Sequence, residues 1–184
     1  MNIVNTTIPD VKIIQPHAWH DERGFLYESF NKTIFDQWVG YEFDFVQENH
    51  SFSKKGVLRG MHYQQQPFAQ GKLVRCIEGE VFDVAVDLRQ SSKTFGKWVG
   101  VMLSAENQQQ LWVPSGFAHG FLTLSEQSQV IYKMTHYWSK ECERAIHWDD
   151  PQIGIQWPDC GVVPLLSEKD QLAPILADQK DLFD

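Results

Sequence analysis

The sequence predicts an all-β domain, a sandwich or a barrel with a little helical trim. Three observations carry that reading. Short segments of alternating polarity follow one another along the chain. Clusters of Gly, Pro, Asn and Ser separate them at short intervals. Only one stretch has a convincing helical pattern.

That stretch is Lys32–Val39, closed by Gly40 as a helix is by a left-handed glycine. Strand patterns follow at Lys72–Ile77, Trp98–Leu103, Gln110–Val113 and Gln129–Trp138. The clearest alternation lies in Gly79–Arg89. Phe82, Val84, Val86 and Leu88 share one face, and Val81, Asp83, Ala85 and Asp87 share the other. Two acids among small residues suit either solvent or a polar barrel interior. In Gln129–Trp138 the same parity groups Val130, Tyr132, Met134, His136 and Trp138. A second helix is expected near Gln171–Gln179, made short or begun late by Pro174. No repeat and no Gly/Ser- or Pro-rich linker divides the chain, so residues 1–184 read as one domain.

Composition narrows the function. With 42% apolar and 22% charged residues, the chain has a globular balance. No run approaches the roughly 20 apolar residues of a bilayer span. The opening MNIVNTTIPDVK lacks a basic segment followed by an apolar core, which predicts a cytoplasmic protein. Cys76, Cys142 and Cys160 are far apart, as reduced thiols are rather than a disulfide framework or a zinc site. A net charge of −8 without any basic run argues against nucleic acid. An anionic small molecule would need only a few basic residues gathered locally.

Among the chemistry-bearing residues, seven histidines raise the question of a metal. Neither His62 nor His119 has a His-x-His partner or a glutamate at ligand spacing. His17 and His20 lie close together but without a carboxylate at fixed spacing, so no metal site is expected. His62 suits proton transfer near neutral pH, and equally suits a hydrogen-bonded place in a barrel wall. Lys72 opens an otherwise apolar strand, and either reaches solvent or is held in a polar pocket. Tyr132 and Trp138 either line one pocket, as hydroxyl donor and aromatic platform, or are ordinary core aromatics. No phosphate-cradling loop, nucleophile elbow or dinucleotide fingerprint is present.

Taken together, eight segments resemble the dTDP-4-dehydrorhamnose 3,5-epimerase family. They are DERGF at 21–25 with Glu28, QENHS at 47–51, GVLRGMHYQ at 56–64 and QGKLVR at 70–75. DVAVDLR at 83–89, PSGFAHGF at 114–121, WDDP at 148–151 and LSEKD at 166–170 complete the set. Each is a weak signal alone. Their order and spacing across roughly residues 8–170 make the resemblance specific.

The resemblance implies a cupin-like double-stranded β-helix, or jelly-roll, barrel with a few short peripheral helices and no cofactor, working as a homodimer. It implies 3,5-epimerisation of dTDP-4-dehydro-6-deoxy-D-glucose. In that scheme His62 is the base, Tyr132 the opposing acid, Asp170 the partner of His62, and Lys72 lies beside the 4-keto oxygen. Arg23, Arg59 and Lys169 match diphosphate and sugar contacts. Phe25, Glu28, Gln47, Asn49, His119 and Glu143 match other binding positions. Members of the family exchange N-terminal strands, which implies that Arg23, Phe25 and Glu28 serve the partner's site. Two positions depart from the family. Trp138 replaces a tyrosine that stacks on thymine, and Arg144 replaces a glycine after Glu143. The rival readings are an epimerase acting at C3 alone or C5 alone, and a non-catalytic sugar-nucleotide binding module.

Overall fold

The computed structural model describes residues 1–180 and 182–184. Along the chain come β1 (Asn2–Asn5), β2 (Lys12–Gln15), β3 (Ala18–Asp21), β4 (Gly24–Tyr27) and α1 (Lys32–Val39). Then follow β5 (Gln47–Lys54), β6 (Leu58–Gln64), β7 (Lys72–Glu78), β8 (Glu80–Asp87) and β9 (Trp98–Ser104). The last are β10 (Gln110–Val113), β11 (Phe117–Thr123), β12 (Gln127–Met134), β13 (Glu143–Ala145) and α2 (Glu168–Gln171), with a 3₁₀ turn at Leu176–Asp178.

One sheet runs β1-β2-β10-β7-β12-β5, and the facing sheet runs β13-β6-β11-β8-β9. From β5 to β8, and again from β10 to β12, successive strands alternate between the two sheets, and neighbouring strands pair antiparallel. That winding is a double-stranded β-helix, the jelly-roll barrel of the cupin type. The hairpin β3–β4 forms a separate two-stranded sheet.

Side-chain alternation builds the interior. Val74 and Cys76 of β7, Val81 and Ala85 of β8, Leu111 and Val113 of β10, Phe117 and Phe121 of β11, and Val130 of β12 meet in one buried cluster. The opposite faces are covered as well. Met61, Tyr63, Val84, Val86 and Ala118 lie under Ile146, Ile153, Ile155 and Leu176 of the C-terminal segment. On the other sheet, α1 sets Phe35 against Trp112, which stacks on Phe43 at 5.0 Å. Strands covered on both faces show little alternation, and all seven residues of β11 are buried. Helix α1 has the expected bounds: Asn31 caps the Ile34 amide, and Gly40 closes it with φ 82°.

Two sequence expectations are corrected. The strand expected to reach Trp138 ends at Met134, because Thr135 turns to bond Gly71 through its amide and its hydroxyl. Near Gln171–Gln179, where a helix made short or begun late by Pro174 was expected, only a 3₁₀ turn at Leu176–Asp178 forms beyond Pro174, and α2 lies ahead of it at Glu168–Gln171.

The pairing of β6 with β11 contains a bulge. His62 faces His119 and Arg59 faces Phe121, so three steps along β6 match two along β11. Strict alternation would put Arg59 and His62 on opposite faces; the extra residue brings them to the same one. Gly60 sits in the bulge at φ 133°, where a Cβ would lie 2.5 Å from Gly120 Cα and 2.9 Å from His119 O. Gly60→Ala is therefore expected to lower unfolding free energy by about 2 kcal/mol or more in urea titration. A variant as stable as the parent would contradict this packing.

Candidate active site

Above the apolar cluster the barrel interior turns polar and opens into a cavity of about 780 Å³, within the range of small-molecule sites. His62 enters from β6 and His119 from β11, while Lys72 of β7, Tyr132 of β12, and Gln47 and Asn49 of β5 come from the facing sheet. Asp170 arrives from α2.

His62 Nε2 lies 2.6 Å from Asp170 Oδ1. The Asp170 side chain is only 4% exposed, against 30% for His62. Burial alone pushes the Asp170 carboxyl up. The hydrogen bond and charge of His62, with the Gly60 amide and Ser167, outweigh it and hold the group below the usual carboxylate range. With Asp170 ionised, Nε2 is the donor and Nδ1 of a neutral imidazole carries the lone pair, the form a base requires. Ser167 caps α2 by accepting from the Asp170 amide, which fixes the carboxylate's position.

Lys72 is nearly enclosed at 8% exposure, and its Nζ donates to His62 O at 3.4 Å. Burial pulls its ammonium down to about 8, opposed by the charges of Asp83 and then Glu143. Asp83 is itself fully buried and receives His119 Nε2 on both oxygens, at 2.9 and 3.0 Å. The floor thus balances one cation against a hydrogen-bonded carboxylate.

On the facing wall, the Tyr132 oxygen accepts from Asn49 Nδ2 at 3.2 Å, which leaves its own O–H to donate. Asn49 Oδ1 accepts from Gln47 Nε2 at 3.0 Å, and Gln47 Oε1 accepts from the Trp138 amide at 2.9 Å. At the rim Lys169 pairs with Glu143 at 2.6 Å. Burial raises the Glu143 carboxyl, but Lys169 and a hydrogen bond from Trp138 bring it below its usual range. Arg59 donates to Ser53 Oγ and Phe52 O, both at 3.0 Å. Arg144 turns back on its own loop, donating to the carbonyls of Glu141 and Glu143.

A model of the dTDP-4-dehydrorhamnose 3,5-epimerase family matches residues 5–178. The chain belongs to that family. Its members are isomerases, and the likeness is close. It is 60% identical over 170 residues to a dTDP-4-dehydrorhamnose 3,5-epimerase of Shigella flexneri, covering 92% of this chain and 93% of that protein. The Salmonella typhimurium LT2 enzyme of the same name is 57% identical and covers 96% of each. A crystal structure of dTDP-6-deoxy-D-glucose-3,5-epimerase from Legionella pneumophila Philadelphia 1, in complex with dTDP-4-keto-L-rhamnose, superposes with a TM-score of 0.94. It shares 52% identity and covers 97% of this chain and 94% of that one.

Of the residues that the family resemblance singled out, His62, Lys72, Tyr132 and Asp170 line this cavity together with Gln47, Asn49, Arg59, His119, Trp138, Glu143 and Lys169. Trp138 arrives by a different route from the one parity suggested, since it lies in the loop beyond β12. Arg23, Phe25 and Glu28 are elsewhere, on or beside the β3–β4 hairpin. There the Arg23 side chain is 85% exposed and pairs with Asp21. Sequence reasoning passed over Asp83 as a site residue, although its shared face with Val81 and Ala85 was the available signal. Among the described residues, no three His, Cys, Asp or Glu side chains form a group able to hold a metal ion.

The Lys72 environment is testable by NMR titration. The side-chain Cε resonance is expected to report a midpoint near 8, and Asp83→Asn is expected to move it lower by removing the largest charge that favours the ammonium. A midpoint near 10.5, the ordinary value, would mean that the amine reaches water.

Proposed function

We propose that this chain epimerises dTDP-4-dehydro-6-deoxy-D-glucose at C3 and C5 to give dTDP-4-dehydro-L-rhamnose, a step of dTDP-L-rhamnose biosynthesis. One observation carries the reading. A carboxylate-oriented histidine and a tyrosine project into a single cavity from facing sheets, with a buried lysine in the same space.

Hydrogens alpha to a ketone are weakly acidic, so their removal needs a base and a stabilised enolate oxygen. His62 Nδ1 takes the proton from C3 or C5. The C–H electron pair forms the C=C bond to C4, and the C4=O pair moves onto oxygen. The Lys72 ammonium stabilises that oxyanion in a water-poor setting, where its charge acts strongly. Asp170 stabilises the imidazolium that forms. Tyr132 then delivers its phenolic proton to the opposite face of the carbon, and the Asn49 amide remains as a donor to the phenolate. Proton exchange with solvent restores His62 and Tyr132 before the second carbon reacts.

Binding follows the same assignment. Trp138 offers its indole face to the thymine, Arg59 and Lys169 meet the diphosphate and sugar, and His119, Gln47, Asn49 and Glu143 contact the remaining polar groups. The protein works as a cytoplasmic homodimer with exchanged N-terminal strands, so that Arg23, Phe25 and Glu28 enter the partner's cavity. Two features support this. The β3–β4 hairpin presents Trp19, Phe25 and Leu26 to solvent at 58, 57 and 74% exposure, more apolar surface than a lone hairpin normally leaves uncovered. The three cysteines are free thiols, as in a reducing compartment.

The test is proton NMR of the sugar nucleotide in heavy water. The unmodified protein is expected to replace both the C3 and C5 protons by deuterium. Exchange at one carbon alone would assign a single-site epimerase, and exchange at neither a binding role. His62→Ala is expected to slow uptake at both carbons on the order of 10²–10⁴-fold while dTDP binding persists. Tyr132→Phe is expected to reduce epimerised product more than exchange, and equal loss of both would contradict its role as the acid.

A further inference from the structure

The segments at 56–64 and 70–75 each contain a glutamine that the chemistry above does not use, Gln64 and Gln70. Both are buried, at 3% and 8% exposure. Each points its amide at the loop after β12, the irregular segment that carries Trp138 to the cavity. Gln70 Nε2 donates to His136 O at 2.8 Å. Gln64 Nε2 donates to Tyr137 O at 3.2 Å, and Gln64 Oε1 accepts from the Ser139 amide at 2.7 Å. The same Gln64 nitrogen also donates to Phe68 O at 2.6 Å. Gln47 takes the amide of Trp138 itself.

Four consecutive residues, His136 to Ser139, are therefore held through their backbone groups by glutamine side chains. The chemistry explains why the central clamp is a glutamine. The loop presents a carbonyl at Tyr137 and an N–H at Ser139, and a primary amide is the neutral group that donates twice and accepts at once. Gln64 fills all three roles inside the barrel wall. Trp138, by contrast, is 54% exposed, and no strand pairing fixes it. Its backbone is seated from below by the glutamines, and its side chain donates to Glu143.

We propose that Gln64 is a positioning residue for base recognition, and that it holds the Trp138 indole in the stacking position without touching the sugar nucleotide. This rests on the reading of Trp138 as the thymine platform. Gln64→Glu keeps the acceptor for Ser139 but turns oxygen toward the Tyr137 and Phe68 carbonyls. Gln64→Met keeps the volume and removes all three bonds.

The experiment measures the dissociation constant of dTDP by calorimetry, with kcat and KM for the sugar nucleotide, in Gln64→Glu, Gln64→Met, Trp138→Ala and Trp138→Ala/Gln64→Met. Both Gln64 variants are expected to weaken dTDP and raise KM about tenfold, a part of the usual worth of aromatic–base stacking, with kcat kept within about twofold. The double variant is expected to bind no more weakly than Trp138→Ala alone, because both changes remove one interaction. Normal dTDP affinity in the Gln64 variants beside a weakened Trp138→Ala would overturn the positioning role and leave the platform reading intact. Normal affinity in Trp138→Ala would overturn the platform reading and the inference with it. Loss of kcat at unchanged KM would assign Gln64 to the His62 strand instead. Hydrogen exchange on the unmodified protein tests the clamp without any variant. The Ser139 amide is expected to exchange about a hundredfold slower than an open loop amide, and fast exchange would overturn the clamp.

Discussion

The 2.6 Å hydrogen bond between His62 and Asp170 is the contact around which the functional end of the barrel is organised. It joins β6 to α2 across 108 residues of sequence. It also resolves a conflict of solvation. A carboxylate as buried as Asp170 costs several kcal/mol unless it is paired and hydrogen-bonded, and His62, Gly60 and Ser167 together supply that environment. In return the carboxylate fixes which imidazole nitrogen is free. The same bond that makes the buried acid tolerable makes the histidine a usable base.

The remaining architecture serves that geometry. The apolar cluster at one end of the interior lets the other end be polar without losing the core. The bulge in β6 turns Arg59 and His62 to one side, at the cost of requiring glycine at 60. Facing sheets carry His62 and Tyr132 separately, which in the proposed mechanism sets a proton donor on the side of the enolate opposite its base. Lys72 joins the two ends, since it begins the strand that contributes Val74 and Cys76 to the apolar cluster.

How much of this was legible in the sequence depended on the distance over which each cause acts. Helix α1 was readable because its pattern and the closing Gly40 are local, although its Asn31 cap was not singled out. The interior face of β8 was readable as a face, but whether Asp83 met water or the barrel depended on His119 from a strand 36 residues away. The His62–Asp170 contact left no local trace and only the family resemblance pointed to it, while the Tyr132–Asn49 contact was not anticipated at all. The bulge was invisible to alternation because an inserted residue reverses parity. The route of Trp138 was misread for a related reason: β12 stops where Thr135 bonds Gly71, and glutamine side chains replace the ladder.

If one histidine, held by one carboxylate, serves both carbons, then disturbing the carboxylate must affect them equally. The most direct measurement is deuterium uptake at C3 and at C5 by Asp170→Asn, followed by NMR with dTDP affinity measured in parallel. The expected result is a common fall at the two carbons, on the order of a hundredfold or more by analogy with loss of an orienting aspartate elsewhere, with dTDP binding retained. Uptake that falls at one carbon and persists at the other would contradict the single base.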